Sequence, residues 1–142
     1  MWIRDQAFAV AGRRLDLDGR IRHTDFSAVE GASATRELLT DDSRPTAIIY
    51  DNDLMAVAGL AVVQALGLRT PDDVTLVAWD DSTLCRITHP ALTALSHNIV
   101  GYGAEVTHRL LDLLTGAVPQ AHLYSTPLLI IRDSSGPPPL PA

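Results

Sequence analysis

The sequence predicts an α/β fold built on a parallel sheet, and three observations predict it. Two short apolar runs, Thr46–Tyr50 and Val74–Trp79, are bridged by one helical stretch, the repeating unit of a parallel sheet. Each run ends in a polar cluster, Asp51-Asn52-Asp53 and Asp80-Asp81-Ser82, of the kind that caps a following helix. The 142 residues are 46% apolar and 20% charged, enough for one core and too few for two full-sized domains.

Each element has its own signal. Over residues 2–11, Ile3, Ala7, Phe8 and Val10 lie near helical spacing, and Gly12 follows as a stop. The polar stretch Arg13–Phe26 holds one candidate strand, Ile21–His23. Ser27-Ala-Val-Glu30 reads as a capping box and predicts a helix from Ala28 to Leu39, ended by Asp41–Pro45. Thr46–Tyr50 suits a strand buried on both faces. The next helix, Leu54–Leu66, stops at Gly67, with Leu68 closing a Schellman-type end. Thr70–Asp73 turns the chain into Val74–Trp79, a second buried strand. Cys85–His89 suits a short helix and Leu92–Ser96 a strand. Ile99, Gly103, Val106, Leu110 and Leu113 mark one face of a helix over 99–115, stopped at Gly116, and Leu123–Arg132 reads as a last strand. The closing SSGPPPLPA has little to bury and is expected to be disordered.

Charge excludes several chemistries. All 11 basic residues are arginine, so there is no lysine for a P-loop, a Schiff base or a general base. A net charge of −6 argues against nucleic-acid binding by this chain alone, which draws affinity from neutralised phosphates. The five histidines, at 23, 89, 97, 108 and 122, include no pair at helical zinc spacing, and no cofactor or metal is called for. No G-x-S-x-G surrounds a serine, and the single Cys85 reads as a small buried residue. None of these patterns marks a catalyst. The first residues lack the apolar stretch of an export signal, and no segment is long enough to cross a membrane, so a cytoplasmic location is expected.

Open parallel sheets bind ligands beyond the carboxyl ends of their strands. Asp51, Asn52, Asp53, Asp80 and Asp81, with Tyr50 and Trp79, would share that rim. Three uses compete there: Mg²⁺-assisted phosphoryl chemistry through Asp51, Asp53 and Asp80, acid–base cleavage of a glycoside, or acceptance of hydrogen bonds from a sugar or nucleoside. Plain helix capping is the alternative for each residue, and it is favoured for Asp53 and Ser82.

The segment PTAIIYDNDLMAVAGLAVVQALGLRTPDDVTLVAWDDS resembles the LacI/GalR family of sugar-responsive bacterial transcription regulators, through PTAI, NDxMA, a helix ending in Gly-Leu, P-x-DV and a strand ending in DD. The likeness continues in HPALTALSHNIVGYGAEVTHRLLDLLTG and PLLIIRDS, and upstream in DFSAVEGASATRELL and Arg4-Asp-Gln-Ala7-Phe8. It covers residues 4–134. Carried over by position, it implies that Arg4 forks onto effector hydroxyls or a carboxylate, and that Phe26 packs on the ligand's face. It likewise implies that Asn52 and Asp80 bond sugar hydroxyls, and that His97 and Ile99 lie beside the pocket where the chain crosses between lobes. Core packing is the competing reading for Phe26 and Ile99. Ala7, Ala78-Trp79 and Ser96-His97 depart from the family's usual residues.

The resemblance implies a periplasmic-binding-protein-like parallel sheet flanked by helices, incomplete: most of the second lobe plus the helix and strand returning to the first. Residues 1–133 would be the partial effector-binding domain, without the family's DNA-binding headpiece, and 134–142 the tail. A homodimer is expected through Leu54–Leu66, which is apolar almost all round, and Leu84–Pro90. A helix sandwiched within one core is the alternative. A transport-type periplasmic sugar-binding protein shares the fold and is the runner-up; a Mg²⁺-dependent phosphotransfer enzyme follows it.

Overall fold

A computed structural model of the protein describes residues 3–137. Its elements are α1 (Ile3–Leu15), α2 (Ala28–Thr40), β1 (Ala47–Tyr50), α3 (Asp53–Ala65), β2 (Thr75–Ala78), α4 (Thr83–Ile87), β3 (Thr93–Ser96), α5 (Ile99–Leu114) and β4 (Leu128–Ile130). One sheet runs in the order β1-β2-β3-β4, with β1, β2 and β3 parallel and β4 antiparallel to β3.

Local chemistry sets most boundaries. Ser27 accepts from the Glu30 N–H and caps α2, but the return half of the capping box is replaced: the Ser27 N–H goes to Asp25 Oδ1 at 2.9 Å. Asn52 and Ser82 cap α3 and α4 through the amides of Met55 and Leu84. At the far end of α3, Gly67 adopts φ +70, and the Leu68 and Gly67 amides bond Val63 O and Gln64 O, the paired bonds of a Schellman end.

The core lies between the sheet and the α2/α3 layer. Leu60, Val63, Leu76 and Leu92 are buried there, each worth roughly 1.5–3 kcal/mol of transfer free energy. Tyr50, 4% exposed, reaches from β1 toward both helices, its hydroxyl 2.9 Å from Thr35 Oγ1. A Cβ on Gly59 would lie 2.1 Å from that phenol oxygen, so only a glycine admits the ring against α3. Much of α3's apolar surface is spent in this sandwich: Met55, Ala56, Leu60, Val62 and Val63 are buried, whereas Leu54 is half exposed.

Several expectations are corrected. Gly12 does not stop α1, which runs to Leu15; one interior glycine costs only about 1 kcal/mol, and Arg13 and Arg14 favour the helix's carboxyl end. Ile21–His23 forms no strand, because the segment is clasped instead by Arg20, which donates to Asp41 Oδ2 at 3.1 Å and to Ser43 O. The first strand is not buried on both faces: Ile48 and Tyr50 point into the core, but Ile49 is 57% exposed and lines a cleft. The last strand shrinks to Leu128–Ile130, since β3 offers only Ala94, Leu95 and Ser96 to pair with.

The boundary placed after residue 133 also falls too early. Ser134 is fully buried in the fork where β2 and β3 diverge. Its hydroxyl accepts from Thr93 N at 2.8 Å and donates to Leu76 O at 2.6 Å, while its carbonyl accepts from Leu76 N at 2.9 Å. Gly136 N adds a bond to Thr75 Oγ1. The remainder of the expected tail, 138–142, lies outside the described residues.

Candidate functional site

Strand register brings the sequence-predicted residues to one rim. Tyr50 pairs with Ala78 and Ala78 with Ala94, and the Trp79 amide continues the ladder to Tyr50 O at 3.0 Å. Asn52 and Asp80 therefore leave two adjacent parallel strands at the same level, two residues beyond paired positions. His97 follows β3 at the same end, and Ile99 opens α5.

Arg4, near the start of α1, is held over this rim. Its Nη1 donates to Asp51 Oδ1 at 2.6 Å, and its guanidinium carbon lies 4.8 Å from the centre of the Trp79 ring. The His97 ring stands near the same indole, centroids 6.4 Å apart. The Arg4 and Asp51 side chains are 45% and 46% exposed. An exposed pair contributes about 0.2–1 kcal/mol, and the cation–π contact about 0.5–1. Arg4 is thus oriented without being locked, and a ligand can exchange for its partner.

Phe26 is presented from the other side. It sits at φ +66, a conformation that costs a non-glycine residue about 1–3 kcal/mol. The Thr24 hydroxyl accepts from its amide at 3.3 Å and Asn52 Nδ2 donates to its carbonyl at 2.9 Å. Phe26 is 42% exposed, so it is not core packing. Asn52 does two jobs, since its Oδ1 also accepts from Met55 N at 2.8 Å. Cap and site are one residue here: the carboxamide that starts α3 also fixes the pocket's aromatic. Arg4 and Phe26 line an open cleft of about 230 Å³ together with Asp5, Arg22, His23, Thr24, Ile49 and Asp51.

The two aspartates after β2 part company. Asp81 is 5% exposed and paired with Arg132 at 2.7 Å and Arg86 at 3.4 Å, a structural role that ties the end of β4 to the end of β2. The neighbouring Asp80 carboxylate is exposed and has no hydrogen-bond or ion-pair partner among the described residues. Ser82 accepts from Leu84 N, as capping predicts, whereas Asp53 is the first residue of α3 and takes only the adjacent Leu54 amide, the cap being Asn52. Cys85 is buried against Asp80 O, and burial pushes its thiol pKa up, which leaves it a poor nucleophile.

The structure does not bring every expected residue to the cleft. Asn52, Asp80 and His97 stand on the rim and not in the cleft wall, and Ile99 is 70% exposed at the head of α5. Sequence reasoning missed the pairing of Asp51 with Arg4, the stacking role of Trp79, and Arg132. An aromatic residue directly after a strand and before an acidic pair was the one available signal for Trp79.

Comparison with known proteins follows the same outline. The chain matches the family described as periplasmic binding protein-like domain over residues 2–135. It is 32% identical to the HTH-type transcriptional regulator CelR of Thermobifida fusca over 91% of this chain and 38% of that protein. It is also 32% identical to the HTH-type transcriptional repressor PurR of Haemophilus influenzae, over 77% of this chain and 34% of that one. Among solved structures, a LacI family transcriptional regulator from Bifidobacterium animalis superposes with a TM-score of 0.93 at 40% identity, covering 96% of this chain and 50% of that one. The CelR–cellobiose complex superposes with a TM-score of 0.84 at 30% identity, over 93% and 42%. The chain thus spans about two fifths of the length of its curated relative CelR.

Proposed function

Since the chain belongs to the periplasmic binding protein-like family, and within it to the LacI-type regulators, we propose that it is the effector-contacting part of such a regulator and binds a sugar or nucleoside. The observation that carries this is the shared rim: Asn52 and Asp80 level on adjacent parallel strands, with Arg4 held over Trp79 between them and Phe26 presented opposite. Arg4 supplies donors, Asp80 an acceptor, and Phe26 and Trp79 apolar faces, the combination a polyhydroxylated ring requires. CelR, which this chain resembles, is seen with cellobiose, and that supports a sugar-class ligand.

In this reading the ligand acts by differential affinity for two lobe arrangements, and so alters DNA binding at a distant headpiece. The protein is a cytoplasmic, dimeric regulator and not a catalyst. Its homodimer contact runs along the exposed edge of α3 at Leu54 and across α4 at Ile87, which are 51% and 71% exposed. Among the described residues no helix is long and apolar enough to cross a membrane.

The deciding experiment is an NMR titration of the chain with cellobiose, glucose and inosine. Weak, millimolar binding is expected, because one wall of a pocket buries only part of a ligand. The shifts should concentrate at Arg4, Phe26, Asn52, Trp79 and Asp80. Shifts spread over α2 and α5 instead, or none with any of the three, overturn the assignment. A gel shift with the isolated chain is expected to show no sequence-selective DNA binding.

A further inference from the structure

We propose that Asp51 is a specificity-determining residue, which through its pairing with Arg4 over Trp79 confines this rim to uncharged, hydroxyl-rich ligands and rejects anionic ones. The inference rests on the reading of the rim as an effector site.

A guanidinium carries five N–H donors. Among the described residues only Nη1 of Arg4 is engaged, by Asp51 Oδ1 at 2.6 Å and more weakly by Asp51 O at 3.5 Å. Trp79 holds the plane of the group from one face, 4.8 Å away. The donors on Nη2 and Nε are therefore oriented and unspent. Asp51 is half exposed, and its Oδ2 has no partner among the described residues.

A ligand hydroxyl satisfies both members of this pair at once: it accepts from the guanidinium and donates to Asp51 Oδ2. A carboxylate or phosphate only accepts. It gains the Arg4 contact but sets a second negative charge beside Asp51, within the ~4–6 Å over which like charges disfavour one another. The pair thus combines an attractive and a repulsive element, as discrimination between similar ligands requires.

The charge of the whole cleft agrees. Among its lining side chains Arg4 and Arg22 stand against Asp5 and Asp51 and cancel them, and Asp80 adds a further negative charge on the same rim. Replacing Asp51 by asparagine leaves the lining one unit positive while keeping an acceptor oxygen at the same place. Without Asp51 the same cleft is a site for acidic sugars.

The test titrates the full chain and its Asp51→Asn variant with glucose and with glucuronate, which differ by a carboxylate at C6. The Arg4 Nε and Trp79 indole signals are followed by NMR. Asp51→Asn should tighten glucuronate binding about tenfold or more and weaken glucose binding, which loses the charged acceptor for its hydroxyl, so that the preference between the two sugars reverses. Adding Arg4→Gln should remove the glucuronate gain. Equal glucuronate affinity with and without Asp51 overturns the proposal while glucose binding leaves the site itself standing. A gain that survives Arg4→Gln overturns it too, by tracing the effect to overall charge. If neither sugar moves the Arg4 or Trp79 signals in either protein, the effector assignment itself falls.

Discussion

Replacing Tyr50 by phenylalanine removes a single oxygen from the centre of the molecule, and its cost depends on pH. The phenol is 4% exposed and lies 2.9 Å from Thr35 Oγ1, whose own hydroxyl donates to Gly31 O at 2.7 Å. With the Thr35 hydrogen spent on Gly31, Tyr50 is the donor in the pair. Below pH 10 the variant should lose about 0.5–1.5 kcal/mol, the usual net worth of one hydrogen bond, because Thr35 keeps its other partner. Burial pushes the Tyr50 pKa up to about 12, with the Thr35 contact opposing in part. The folded protein therefore holds this proton after the unfolded chain, near its ordinary value of about 10, has released it. Tyr50's stabilising share is complete below pH 10 and is lost as pH climbs toward 12, by about 1.4 kcal/mol per pH unit. Urea unfolding followed by circular dichroism at pH 8 and pH 11 reads this directly. From pH 8 to 11 the wild type should lose about 1.4 kcal/mol more than Tyr50→Phe, bringing the two close together. An identical alkaline loss in both proteins would falsify the claim that the phenol is buried and protonated in the fold.

Three further outcomes follow from the packing. Arg132→Met strips Asp81, which is 5% exposed, of its closest partner, and should cost about 3–5 kcal/mol in urea unfolding. Adding Asp81→Leu should recover much of that loss, and strict additivity of the two changes would refute the pairing. Gly59→Ala gains helix propensity but drives a methyl to 2.1 Å from the Tyr50 oxygen, so a net loss of about 1–3 kcal/mol is expected, and a stabilised variant would mean the ring is elsewhere. Ile87→Glu should shift light scattering toward monomer at high concentration if α4 is part of the dimer contact, whereas an unchanged mass excludes that surface.

Elements fixed by chemistry within a few residues of themselves were readable from the chain. Ser27, Asn52, Ser82 and the Gly67-Leu68 pair each act on a helix end next door, and two apolar runs bridged by one helix predicted the parallel β1–β2 pair. What depended on distant partners was not readable. The length of β4 is set by how much of β3 is free to pair, and the burial of Ser134 by a fork 58 residues upstream. At the site, the resemblance placed Arg4, Phe26, Asn52 and Asp80 at one rim, but not their interactions. That Asn52 buttresses Phe26 while capping α3, and that Asp51 meets Arg4 across 47 residues, are facts of tertiary geometry.

One side chain near the end of the chain closes the sheet's seam. The Ser134 hydroxyl bridges the Thr93 amide and the Leu76 carbonyl, while its own carbonyl takes the Leu76 amide. Because β2 and β3 are paired with each other only from Val77 and Thr93 onward, Ser134, 41 residues past Thr93, acts as a rivet at the open end of that pair. Trimming the chain at residue 133 would leave those inner backbone groups unsatisfied in a dry interior.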